Sequence, residues 1–323
     1  MAPTIGEWIE TFLNMKRSEG RRSATLKDYA FAGRLLAEHF GENERLDKIT
    51  STGARRFATA LRNGELSHIR KGTRRRPMGR MTTDKYLRFV RALFESAAVE
   101  FDELIRRNPF KVVKLNRVEP RRWHKVTPDE FWRLYEAAND GWKILLSLCR
   151  LGGLRRSDAL ALKWSNVTLG GSTPVLDFVQ IKTERRCVVP LFPELAQILR
   201  GLPRPLKLNA PDAEYVVPRS VYVGNIGRDF KVLCRSAGVT PYNDPLHSLR
   251  KSAIDDWARA GYLPNVVQNW AGHSDIKTTL TYYTQAGEAD LERAASQPLF
   301  DESDATLDAT GTDGSAPSRV KPI

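Results

Sequence analysis

The chain has 323 residues, 41% of them hydrophobic and 28% charged, and carries a formal charge of +13 at pH 7. That length has room for two cores, and the composition is globular, with no run of about 18 apolar residues to cross a bilayer. The basic excess points to a polyanionic partner, nucleic acid or an anionic surface. Three cysteines, Cys149, Cys187 and Cys234, are odd in number and too widely spaced for a metal site or a disulfide framework, so they read as reduced thiols.

The charge is unevenly spread. Residues 1–122 hold 27 Lys and Arg against 15 Asp and Glu, a net of +12, and residues 123–298 hold 22 against 18. Residues 299–323 hold 2 against 5. The N-terminal third therefore carries most of the positive field.

In chain order, Ile5, Trp8, Ile9, Phe12 and Leu13 recur at helical spacing. A second helix is expected from an N-cap at Ser23 to a glycine stop at Gly41, a third over about 51–62 and a fourth over about 82–101. Together these predict a bundle of four or five helices, placed here as a domain over 1–112. A loop at 68–80 carries six basic residues among glycine and proline breakers, which suits a phosphate backbone or a plain solvated surface. Over 108–128 three prolines and a mixed basic composition break the helical period, and the linker is placed at 113–126.

A second domain is expected over 127–298, opening on the capping box Thr127-Pro-Asp-Glu130. An apolar helix, a Gly152-Gly153 break and a helix from Arg156 follow. Strand formers flank a polar KTERR turn over 173–190, which predicts a β-hairpin. Helices resume over 192–199, 226–237, 246–260, 265–270 and 276–284, with a last one at 288–295. His273 follows a glycine at an expected helix start. The polar tail 299–323 reads as disordered.

Four short stretches carry chemistry together. Gly152-Gly-Leu-Arg155 places an arginine after a glycine turn, with Asp158 three residues on. A guanidinium fork there can take a phosphate. Lys182 sits at the hairpin turn. His247 and Arg250, three apart, share one helix face. Gly272-His273 is followed nine residues later by Tyr282, with Tyr283 beside it. Any one of these residues alone is most often a packed or solvated side chain. Six in one order over about 130 residues is a different matter.

This order and spacing resemble the tyrosine recombinases, also called the phage integrase family. The family's arginine after a glycine-rich turn is matched by Arg155, its hairpin lysine eight residues before a proline by Lys182 and Pro190, and its His-x-Leu-Arg box by His247 to Arg250. Its Gly-His falls 23 residues after the second arginine at His273, and its tyrosine nine further at Tyr282. Spacing favours Tyr282 over Tyr283. Ala271 stands where leucine is commoner, and Gly152 where threonine is frequent.

The resemblance implies a mainly α protein: a SAM-like helical bundle, then a mostly α catalytic domain with a small antiparallel β-sheet, the DNA breaking–rejoining fold. It implies no arm-binding domain before the bundle. Arg155, Lys182, His247, Arg250, His273 and Tyr282 would be catalytic and Asp158 would orient Arg155 or His247, with no metal and no cofactor. Tyr282 would form a 3′-phosphotyrosyl link to DNA. Partners would be double-stranded recombination sites, a homotetramer on DNA that exchanges the 288–295 helix, and an accessory directionality factor. No membrane is involved, and the location would be cytoplasmic, at the nucleoid. A type IB topoisomerase and a non-catalytic DNA-binding relative are the alternatives. The second should have lost at least one of the six groups, and all six are present.

Overall fold

The computed structural model describes residues 1–66, 77–115, 123–202, 214–218, 221, 225–283 and 295–296. Most of the basic loop, the middle of the expected linker, the tail and all but the last residue of the expected 288–295 helix lie outside the described residues. Contacts divide the chain into two units, Met1–Arg121 and Arg122–Ile323.

The named elements of the first unit are all helices, with one isolated β-bridge between Thr4 and Arg45 among its described residues. Helix α1 (Ile5–Ser18) opens on a capping box: the Glu7 amide donates to the Thr4 hydroxyl at 3.3 Å and the Thr4 amide to the Glu7 carboxylate at 2.8 Å. Its Ile5, Trp8 and Phe12 are buried, as their spacing requires. Helix α2 (Ser23–Phe40) begins at Ser23 rather than being capped by it, because Arg22 occupies the N-cap and no side chain bonds there. Helices α3 (Ser51–Asn63) and α4 (Arg80–Glu100) complete the bundle.

A 3-10 turn at Pro109–Val112 then folds back on α4. Asn108 fixes it, donating to the Arg91 carbonyl at 2.9 Å and to Glu95 at 3.0 Å, while Arg91 donates to the Phe110 carbonyl at 3.0 Å. This brings Phe110 against Phe57 and Phe94 in a core of its own. Truncating one such ring to alanine costs about 3–5 kcal/mol.

The second unit is built around α6 (Asp140–Arg150), which follows α5 (Pro128–Ala137) and whose residues from Ile144 to Arg150 are all buried. After α7 (Arg156–Ala161) come β1 (Val167–Thr168), β2 (Val175–Val179) and β3 (Arg186–Pro190), an antiparallel sheet in chain order. Leu176 pairs with Val189 and Phe178 with Cys187, and all four face inward. The hairpin was legible; two-residue β1 was not, since a period of two needs more residues to show. Helices α8 (Pro193–Gly201), α9 (Ile226–Ser236), α10 (Pro245–Arg259) and α11 (Pro264–Ala271) follow. Helix α10 packs on α6 and α11, and α11 on β3.

Helix α12 (Ile276–Leu280) is shorter than expected and passes into a turn at 281–283. The fold is thus mainly α with a small antiparallel sheet. No helix among the described residues is long and apolar enough to cross a membrane.

Candidate active site

Two glycines shape the site. Gly153 has φ +61°, and a β-carbon there would fall 2.4 Å from the Trp257 ring. Gly272 has φ +60° and ends α11; a β-carbon there would overlap the Gln180 amide and the Cys187 sulfur. Both positions demand a left-handed backbone in a filled space. Each also presents a carbonyl to an arginine.

Arg250 lies on α10 and is 3% exposed. One of its guanidinium nitrogens, Nη1, donates to the Gly153 carbonyl and the other, Nη2, to the Ala271 carbonyl at 2.6 Å. Arg155, at the N-cap of α7, donates through Nη2 to the Gly272 carbonyl at 3.3 Å. Its Nη1 is buried, has no hydrogen bond, and stands 3.9 Å from Asp158 Oδ2. Asp158 is buried. Its Oδ1 accepts from the Ile181 amide at 3.0 Å, so it ties α7 to the hairpin turn while facing Arg155. Of its two expected roles, the contact is to Arg155.

The charge balance is uneven. Burial, then the charge of Arg155, pushes the pKa of Arg250 down to about 10, while Asp158 and Tyr282 pull it up. It stays protonated at neutral pH. Two guanidinium groups therefore share one carboxylate, and among the described residues no carboxylate lies within ion-pair distance of Arg250. Burying a cation against carbonyls alone is costly. An anion bound at this point would relieve that cost.

His273 follows the C-terminus of α11, in the connection before α12, and so does not start a helix. Its Nδ1 is bonded to the buried Thr279 hydroxyl at 2.9 Å, and its Nε2 makes no hydrogen bond to a described residue. Burial, then the charges of Arg250, Arg155 and His247, push its pKa down to about 4. His247, in the first turn of α10, keeps an exposed edge. Partial desolvation, then Lys251 and Arg250, lower its pKa. Both imidazoles favour the neutral form.

Tyr282 is half-buried on the same core. Burial raises its pKa to about 12, Arg250 opposes that shift, and Asp255 adds to it. Its hydroxyl makes no hydrogen bond to a described residue. The Tyr283 hydroxyl, in contrast, donates to the Tyr262 carbonyl. Lys182 is exposed at the hairpin turn and touches no partner among the described residues. The structure thus gathers Arg155, Asp158, His247, Arg250, His273 and Tyr282, and leaves the Lys182 side chain reaching outward.

Sequence reasoning missed Gln180 and Arg185. The Gln180 amide donates to the Ala271 carbonyl at 3.0 Å, and Arg185 to the His273 carbonyl at 2.7 Å, so both lash the hairpin to the 271–273 connection. Their partners are backbone carbonyls some 90 residues away, which leave no side-chain signature. The cysteines take no part: burial pushes the Cys149 thiol up to about 12, the Cys234 thiol to about 11, and raises that of Cys187.

The phage integrase family model matches residues 124–289. No match is found among curated proteins. Among solved structures, the Tn1549 transposon integrase in complex with transposon right end DNA is similar over 90% of this chain and 99% of its own, at 19% identity and a TM-score of 0.67. A lambda integrase dimer bound to a COC′ core site is similar over 88% of this chain and 78% of its own, at 18% identity and a TM-score of 0.67. A lambda integrase tetramer bound to a Holliday junction gives 90% and 81%, at 18% identity and a TM-score of 0.66. At these identities the likeness is one of fold.

Proposed function

This chain belongs to the phage integrase family, the site-specific tyrosine recombinases that break and rejoin DNA, and from that premise we propose how its own residues cut and reseal a strand. The Tyr282 oxygen attacks a scissile phosphodiester, its O–H proton leaves, and the bond to the 5′-oxygen breaks. A 3′-phosphotyrosyl link and a free 5′-hydroxyl result. The reverse attack by a 5′-hydroxyl from a second duplex reseals the strand. The phosphodiester energy is conserved throughout, so the step needs neither a nucleotide nor a metal.

Arg155 and Arg250 hold the nonbridging oxygens and match the charge that builds on them in the transition state. The observation that carries this reading is their shortage of carboxylate partners in a buried setting. His273, fixed through Nδ1, turns Nε2 to the phosphate. Tyr282 is almost wholly protonated at neutral pH, and ionising it at pH 7.5 costs about 6 kcal/mol at 1.36 kcal/mol per unit. Its proton must therefore leave during attack, and the neutral His247 takes it. Lys182 protonates the departing 5′-oxygen, and Asp158 steadies Arg155.

The substrate is a double-stranded recombination site held by the basic bundle and the catalytic unit, and two duplexes are exchanged within a tetramer of this chain. A directionality factor is a further expected partner. Nicked suicide substrates cut from the DNA flanking the gene test the scheme. A denaturant-resistant adduct should form in the presence of EDTA, carry the 3′-phosphate strand and release a 5′-hydroxyl. Absence of any adduct, or one on the 5′ side, contradicts it.

A further inference from the structure

Tyr282 has an orientation problem. It sits past the end of a five-residue helix, and its hydroxyl has no hydrogen bond to a described residue to aim it. Attack on phosphorus tolerates little misplacement: an error of about 1 Å can cost a hundredfold in rate. Something must set the plane of the phenol, and side-chain packing is the means left.

The strap 123–126 supplies it. Among the described residues, Trp123 is the one aromatic side chain in ring contact with Tyr282, with centroids 6.4 Å apart and planes 58° apart. The Lys251 ammonium, one residue after Arg250 on α10, lies 5.7 Å from the centre of the Trp123 ring. The strap is in turn pinned along α10. The Val126 amide donates to the Ser252 hydroxyl at 2.8 Å, and Lys125 pairs with Asp255 at 2.5 Å and Asp256 at 3.4 Å. Asp256 also holds the buried Arg150 at 2.6 Å, and Arg150 donates to the Val126 carbonyl at 3.3 Å. The helix that carries Arg250 therefore also fixes the indole that meets Tyr282.

We infer that Trp123, held by Lys251, is a positioning residue for Tyr282 that sets the phenol's plane for in-line attack on the phosphate at Arg250. This rests on the reading of Tyr282 as the nucleophile. It places Trp123 on the nucleophile's side of the reaction, away from the leaving group. A tilted ring contact of this kind restricts the phenol's rotation without removing its proton or touching the DNA.

The test uses the full-length chain, a suicide substrate and single-turnover kinetics. Trp123→Ala should slow adduct formation about tenfold or more while changing DNA affinity less than twofold, and Trp123→Phe should keep the rate within about threefold of wild type. Lys251→Gln should give a smaller loss, about threefold. A 5′-bridging phosphorothiolate, whose sulfur leaves without needing a proton, should rescue Lys182→Ala but not Trp123→Ala. Thermal melts check that each variant is folded.

A Trp123→Ala rate within twofold of wild type overturns the inference. So does a loss matched by an equal loss of DNA binding, or rescue by the phosphorothiolate. Mapping the wild-type adduct separates the two levels: a link to a residue other than Tyr282 sinks the underlying reading, whereas a link to Tyr282 with an indifferent Trp123 sinks this inference alone.

Discussion

Arg250 and Lys182 serve one proposed reaction but are held in contrasting ways. Arg250 is 3% exposed and fastened to two backbone carbonyls, each beside a glycine with positive φ or on that glycine itself. Lys182 rides exposed on a hairpin turn whose root is secured by Asp158 to the Ile181 amide, by Gln180 to the Ala271 carbonyl and by Arg185 to the His273 carbonyl. The difference follows from what each group must do. A group that meets developing charge gains from being fixed before substrate arrives. A group that hands a proton to a leaving strand must reach an atom that moves, and a long side chain on an anchored turn can do so.

The largest expected effect lies on the fixed side. Arg250→Ala should lower the single-turnover cleavage rate by about 10³-fold, the upper end of the scale for loss of one preorganised charge donor. A loss below tenfold would erase the distinction between the two regions.

The next effect is on stability and also belongs to the fixed side. The His273 pKa lies below its ordinary value, near 4, so the native state holds the ring neutral while the unfolded chain protonates it at about 6.5. As pH falls from about 6.5 towards 4, the unfolded state binds the proton first and the native state loses stability, by roughly 3 kcal/mol in all, and then levels off. Urea melts across that range should show His273→Gln with a flatter decline than wild type. Equal slopes would mean that the ring is not held neutral.

On the reaching side, Lys182→Ala should cost about 10²-fold in cleavage, the lower end for general acid catalysis, and leave the melting temperature within about a degree, because the side chain touches nothing described. The smallest effect belongs to the hairpin's outer face. Val179 is exposed, so Val179→Thr should change folding stability by less than about 0.5 kcal/mol. A larger change would show that the hairpin is not simply resting on its root.

Much of this was legible in the residues. Apolar periodicity placed the helices, because burial on one face writes a period into sequence, and strand formers flanking the polar KTERR turn placed the hairpin. The order of Arg155, Lys182, His247, Arg250, His273 and Tyr282 was readable because each is a functional group. What was not readable is the wiring between them. Arg250 is held by carbonyls, and a carbonyl looks alike in every residue. Ala271, which departs from the commoner leucine, loses nothing by it, since the site uses its backbone oxygen. His273 was expected at a helix start. Gly272 ends one helix well before Asp275 caps the next, and Gly-His does not by itself say which side the helix lies on.

The choice between Tyr282 and Tyr283 bears most directly on the account. Tyr283 is tied to the Tyr262 carbonyl, while Tyr282 lies within the field of Arg250 and its hydroxyl bonds to no described residue. Mass spectrometry of the protease-digested covalent adduct should place the nucleotide on Tyr282, and Tyr282→Phe should abolish the adduct while DNA binding persists. A nucleotide on Tyr283, or an adduct that survives in Tyr282→Phe, would contradict the account.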